Sequence, residues 1–215
     1  MQTKLDSTAD LVAASLRKMI NSGELAEGAR LVERDLASQF DVSRIPLREA
    51  IQQLVREGIV ETQRNRGAVV KTLTAEDVNE IYSLRVLVEG DAIYQSVANM
   101  DAEALARAEL THRLLEKATT PQKQGELNRE FHQILYRGCR NARQLRLIAE
   151  LCAQIERYER LQLRLLEDTP AFQHEHNAIL QACKNGDPAL AREATVRHIE
   201  SAKLIVLGIL ADRQD

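Results

Sequence analysis

Tryptophan is absent from these 215 residues, and aromatic side chains make up only 3% of the chain. Hydrophobic residues still reach 44%, so a core must form from Leu, Ala and Val, the packing common in helical proteins. No apolar run approaches the roughly 20 residues that a membrane span requires, so no membrane partner is expected. The N-terminal MQTKLDSTAD lacks the charged-then-apolar order of a secretory signal. Cysteine is scarce: Cys139, Cys152 and Cys183 lie inside helical patterns, with no CxxC pair. An odd, sparse set argues for ordinary buried thiols in a reducing cytoplasm rather than a disulfide framework. A Gly-rich phosphate loop and a Ser/His/Asp arrangement are also missing. The HEH at 174–176 does not have the i, i+4 spacing that aligns two histidines in HExxH. These absences argue against an enzyme.

Positive charge is in short supply overall, with a net charge of −3, but its distribution is uneven. Residues 43–71 hold six basic side chains against three acidic ones. Inside that window lies FDVSRIPLREA, residues 40–50, between the amphipathic runs ERDLASQF and IQQLVREGIV. Asp41-Val42-Ser43 reads as a tight polar break. Arg44 and Arg48 then share one face of a new helix, because residues i and i+4 stack on the same side. Ser43 is placed to cap that helix through its hydroxyl. A short helix, a turn and a second helix with arginines near its N-terminus is the arrangement that enters a DNA major groove.

The surrounding pattern completes a domain. Residues 7–21 have helical apolar spacing, with Ser7 and Asp10 forming a capping box. SGELAEGARL reads as a Gly-punctuated loop, followed by helices near 33–40 and 44–57, the latter closed by Gly58. Ile59–Thr62 and Ala68–Thr72 read as short strands around the basic turn Gln63-Arg64-Asn65-Arg66-Gly67. Helix-turn-helix plus basic hairpin makes a winged helix over residues 1–74. From Thr74 the chain changes character: Thr74-Ala75-Glu76-Asp77 is a second capping box, and no strand signal follows. Helices are expected at about 75–99, 101–118, 121–139, 142–167, 170–185 and 188–211. Thr169-Pro170 and Asp187-Pro188 mark the last two starts. The expected fold is therefore mainly α: a winged helix-turn-helix, then an all-α six-helix bundle over 75–215.

The stretch RLVERDLASQFDVSRIPLREAIQQLVREGIVETQRNRGAVV is similar, almost without gaps, to the winged helix of the GntR superfamily of bacterial transcription regulators. Its SRxPLREA core is specific to that group. The helical remainder resembles the FCD effector domain of the FadR-type branch, and six helices place it near the VanR-like subgroup. The resemblance covers roughly residues 8–211. It implies a homodimer that binds an inverted-repeat operator in double-stranded DNA, with repression as the default. It implies DNA contacts by Arg34, Arg44 and Arg48, with the wing residues Arg64, Asn65, Arg66 and Gly67 at the backbone or minor groove. Val32 stands where relatives often have a capping Ser or Thr, and Ile45 where Thr is frequent, so base preference beside Arg44 can differ.

The helical half carries a second constellation. Asn128 and His132 are i and i+4 in NREFHQIL, while His176 and His198 lie in two later helices. Phe131, Ile134 and Leu135 flank His132, so its imidazole is expected to point inward. On the residues alone, partly buried histidines satisfied by hydrogen bonds remain an open reading. The resemblance adds the FCD metal pattern, Asp-x3-His followed by two distant histidines, with Asn128 in place of Asp. It implies a divalent ion, Zn²⁺ or Ni²⁺ by ligand chemistry, and an effector-binding role for Arg85 towards a small carboxylate metabolite. A neutral amide leaves such a site more positive, which favours an anionic effector. The other reading of this site is a metal sensor, in which the ion itself is the signal. His174 projects to a different face from His176 and is not expected to be a ligand, and His112 is expected at the surface without partners.

Overall fold

The computed structural model of this chain describes residues 7–166 and 170–212. They divide into two compact units, with the break between Leu73 and Thr74.

In the first unit, α1 (Thr8–Ser22) starts at the expected capping box: Ser7 Oγ accepts from Asp10 N, and the Asp10 carboxylate accepts from Ser7 N. Val12, Leu16 and Ile20 recur every four residues and are buried, which seats α1 on α3 (Arg44–Arg56). Arg17 of α1 reaches Glu57, beyond the end of α3, with a forked ion pair at 2.8–3.0 Å. Helix α2 (Glu33–Gln39) begins at Val32 without a side-chain cap, as the sequence implies. Between α2 and α3 (Arg44–Arg56) the chain reverses through Asp41, whose φ of 52° lies in the left-handed region that Asp tolerates better than most residues. Leu47, Ala50, Ile51 and Leu54 form the buried face of α3.

Strands β1 (Val60–Gln63) and β2 (Gly67–Val70) pair antiparallel, from Val60 opposite Val70 to Gln63 opposite Gly67. The turn uses Asn65 at φ 66°, a conformation for which Asn is enriched. The stretch read as loop contributes more than expected. Arg30 bridges Val69, Leu31 N donates to Ala68 O, and Val70 N donates to Ala29 O, both at 2.9 Å. A segment this short has no alternation to betray it in sequence.

The second unit holds α4 (Ala75–Val97), α5 (Ala102–Glu116), α6 (Pro121–Tyr136), α7 (Ala142–Leu166), α8 (Pro170–Lys184) and α9 (Pro188–Ala211). Helix α4 begins at the second capping box, with Thr74 Oγ1 accepting from Asp77 N. Asp187 caps α9 by accepting from Leu190 N at 2.9 Å. The predicted cap Thr169 and residue 167 lie outside the described residues. Helix α4 packs along α9, α5 pairs with α6, and α8 pairs with α9. Their shared core includes Ile93, Phe131, Leu135, Ile179, Leu180 and Ala194. Helix α6 ends earlier than the spacing predicts because the chain must pass close to α4. A Cβ on Gly138 would lie 2.5 Å from Ser96 O, and Gly138 N donates to Ser96 Oγ.

Among the described residues, no helix is long and apolar enough to cross a membrane.

Candidate functional site

Two surfaces carry the chemistry, one in each unit. On the first, α3 buries its leucines and turns Arg44 and Arg48 outward, as i, i+4 spacing requires. Arg48 donates to Glu33 through Nε at 3.2 Å and through the guanidinium NH2 at 2.8 Å. This hydrogen bond and charge hold the Glu33 carboxyl below its ordinary value, and they raise Arg48. Arg34 is exposed and pairs with its neighbour Asp35 at 3.0 Å. Ile45 displays an apolar side chain that is 72% exposed. Arg64, Asn65, Arg66 and Gly67 are exposed at the hairpin tip, where Arg66 donates to Gln63. A groove of about 420 Å³ beside Arg48 is shared by Gln52 of α3 with Thr62 and Gly67 of the hairpin.

One expectation here is corrected. Ser43 has the extended backbone of a capping residue but makes no side-chain cap bond, and its side chain is exposed.

The second surface is internal. His132 from α6, His176 from α8 and His198 from α9 each bring one ring nitrogen within 4.8 Å of the others. Their ring centroids are 4.6–5.2 Å apart. Phe172 packs 4.7 Å from His176 and 4.5 Å from His198, and Phe131 lies 5.0 Å from His176. Burial, then the neighbouring His198, pushes His132 and His176 well below the ordinary histidine value, with Arg85 adding to the effect on His132. Neutral imidazole is the form that ligates metal. Asn128 Oδ1, one helical turn before His132, is buried without a hydrogen-bond partner, and so are both ring nitrogens of His176. Buried polar atoms are normally satisfied, and the three converging imidazoles fit a divalent cation.

Further buried oxygens without a hydrogen-bond partner lie three or four residues before these positions: Gln124 Oε1 four before Asn128, Gln173 Oε1 three before His176, and Thr195 Oγ1 three before His198. His174 is exposed. His112 departs from the expectation of a surface residue. It is buried, its ring lies 5.6 Å from Phe131 and 6.0 Å from His176, and its Nε2 has no hydrogen-bond partner. Helix α5 turns it inward because Ala108, Thr111 and Leu115 form the same buried face.

Arg85 is buried, and its Nε donates to Glu89 Oε1 at 2.6 Å. It therefore has an internal anion already, where the resemblance implied a guanidinium offered to a ligand. Glu89 also accepts from the Tyr136 hydroxyl at 2.9 Å, and that hydroxyl lies 3.3 Å from His132 Nδ1. Burial and the Glu89 charge hold the Tyr136 phenol well above its ordinary value. On the other side of the cluster, His198 Nδ1 lies 3.0 Å from Glu175 Oε2. Glu89, Tyr136 and Glu175 were not anticipated as site residues. Helical spacing could have found two of them, since Glu89 is i+4 from Arg85 and Tyr136 is i+4 from His132.

A winged helix-turn-helix head followed by a helical unit with a buried histidine cluster defines the class of two-domain bacterial transcription regulators. The chain belongs to the GntR family of regulators with an FCD domain. The family model described as "Bacterial regulatory proteins, gntR family" matches residues 8–70, and that of the FCD domain matches residues 80–201. The chain is 35% identical over 202 residues to an uncharacterised HTH-type transcriptional regulator, BphR, of Paraburkholderia xenovorans, covering 89% of this chain and 82% of that one. It is 31% identical over 195 residues to the gluconate operon transcriptional repressor of Bacillus subtilis, covering 86% and 79%. A GntR family transcriptional regulator from Pseudomonas syringae pv. tomato, solved by crystallography, superposes with a TM-score of 0.62 at 32% identity, over 96% of this chain and 87% of that one. The protein is thus a DNA-binding transcription regulator.

Proposed function

We propose that this regulator is a repressor that binds an inverted-repeat operator as a homodimer, and that a small organic acid held at a divalent metal site controls its DNA affinity. Arg44 and Arg48 read base edges in the major groove, where arginine takes guanine O6 and N7 together. Arg34, Ser43 and the wing residues Arg64, Asn65, Arg66 and Gly67 hold the phosphate backbone or minor groove. A stripe of exposed apolar side chains on α4, Leu84, Leu87 and Tyr94, offers a surface that a second copy would cover. His132, His176, His198 and Asn128 hold the ion, Zn²⁺ or Ni²⁺ by ligand type. When bound, the ion supplies an uncompensated positive charge and a coordination position suited to a carboxylate. Arg85 is the second cation, and an acid reaching it exchanges with Glu89.

The observation that carries this reading is the convergence of three imidazoles while Asn128 Oδ1 and both His176 nitrogens lack partners. The gluconate operon repressor among the relatives supports sugar acids as the first ligands to try. The operator is selected from random duplexes, and DNA affinity is followed on chelator-stripped protein as zinc and then small carboxylates, gluconate included, are added. Release of DNA by an acid only when zinc is present is the expected result. The His132→Ala/His176→Ala/His198→Ala variant should then contain no metal by elemental analysis and should not respond. Undiminished metal in that variant refutes the site, and release by zinc alone makes the ion the signal.

A further inference from the structure

We propose that two hydrogen-bonded supports, one built on Tyr136 and Glu89 and the other on Glu175, hold His132 and His198 as Nδ1–H tautomers, so that each presents a bare Nε2 to the metal. The proposal rests on the metal reading above and deepens it. It makes Tyr136 and Glu175 positioning residues that touch ligands rather than the ion.

The assignment follows from counting hydrogens. Glu89 is ion-paired with Arg85 at 2.6 Å, and a carboxylate has no proton to give. The Tyr136 hydroxyl has one hydrogen, and it goes to Glu89 Oε2 at 2.9 Å. What the phenol oxygen turns towards His132 Nδ1, 3.3 Å away, is therefore a lone pair. A neutral imidazole meeting that lone pair places its single proton on Nδ1, and Nε2 is left as the acceptor. His198 reaches the same state more directly, because Nδ1 faces the Glu175 carboxylate at 3.0 Å. His176 has no such support, since both of its ring nitrogens lack partners. The cluster therefore has two oriented ligands and one that only the ion would orient.

The two supports differ in environment. Glu89 and Tyr136 are 1% and 3% exposed, and their chain runs from α4 through α6 to the cluster. The Glu175 side chain is 30% exposed and sits on α8, beside the His198 it orients. A carboxylate or hydroxyl behind a ligating histidine raises its basicity and fixes its ring. Losing one typically costs roughly 10- to 100-fold in metal affinity.

Two measurements test this on the full-length protein. Long-range proton–nitrogen spectra of the metal-free wild type, taken above the histidine titration range, report which ring nitrogen carries the proton. His132 and His198 should both carry it on Nδ1, and a proton on Nε2 of either ring overturns the proposal. Zinc affinity is then read by competition with a chromophoric chelator. Tyr136→Phe keeps the ring's shape and should weaken zinc roughly 10- to 100-fold, as should Glu175→Ala. Glu175→Gln retains an acceptor oxygen and should recover part of the loss. Unchanged zinc affinity in Tyr136→Phe and Glu175→Ala overturns the positioning roles alone. A wild type that takes up no zinc overturns the metal reading and this proposal with it.

Discussion

Lowering the pH from 7.5 to 5.5 should destabilise the metal-free protein steeply, through His132 and His176. Both are held well below the ordinary histidine value of 6.5, chiefly by burial. In the unfolded chain they titrate near that ordinary value, so below it the unfolded state binds protons that the folded state refuses. Stability is then complete above 6.5 and is lost as pH falls towards the depressed folded values. One pH unit below 6.5, each imidazole that stays neutral costs on the order of 1 kcal/mol, and the pair up to about 3 kcal/mol. That is a large share of the 5–15 kcal/mol typical of a folded domain. Urea denaturation across this range, on wild type and on the His132→Gln/His176→Gln variant, isolates the effect from the carboxylates and other histidines. The gap in unfolding free energy between the two proteins should move by up to about 3 kcal/mol between pH 7.5 and 5.5. A constant gap would refute the assignment of these two rings as buried neutral groups.

Arg44→Ala and Arg48→Ala should each weaken binding to a selected operator by about 1–3 kcal/mol, roughly 5- to 150-fold, with relaxed base preference. Fluorescence anisotropy against mutated half-sites checks this, and undisturbed operator affinity removes α3 from the interface. Arg85→Ala leaves the Glu89 carboxylate buried without its ion-pair partner, so it should cost about 3–5 kcal/mol of stability. The Arg85→Met/Glu89→Leu pair should restore most of that in thermal melts, and equal losses from the single and double variants contradict the role given to the ion pair. Gly138→Ala places a Cβ against the Ser96 backbone oxygen, which cannot swing away as a side chain would. A loss of about 1–3 kcal/mol is expected from denaturant midpoints.

The parts that were legible in the sequence are those written in local periodicity. The capping boxes at Ser7 and Thr74 close as their spacing dictates. The hairpin forms around Asn65 and Gly67, two residues suited to positive φ. His132 was legible as an inward residue from its apolar neighbours Phe131, Ile134 and Leu135, whereas His176 and His198 joined it only through the resemblance. What escaped reading depends on neighbours distant in the chain. Ala29–Leu31 becomes a strand partner only once β2 exists to receive it. His112 looks like a surface histidine until α5 meets α6 and α8. Ser43 shows the reverse failure, a local rule that the structure leaves unused.

By itself, the sequence determined the order of elements, the outward arginines of α3 and the inward face of α6 around His132. These follow from hydrophobic periods of 3.6 and 2, which act over a few residues. Only the tertiary structure decided that three imidazoles from separate helices converge, that Arg85 has Glu89 as its anion, and that Tyr136 stands between Glu89 and His132. Helical spacing states which side of a helix a residue occupies, but not what lies across from it. That is settled by how the helices pack, and a buried polar group left without a partner there is costly.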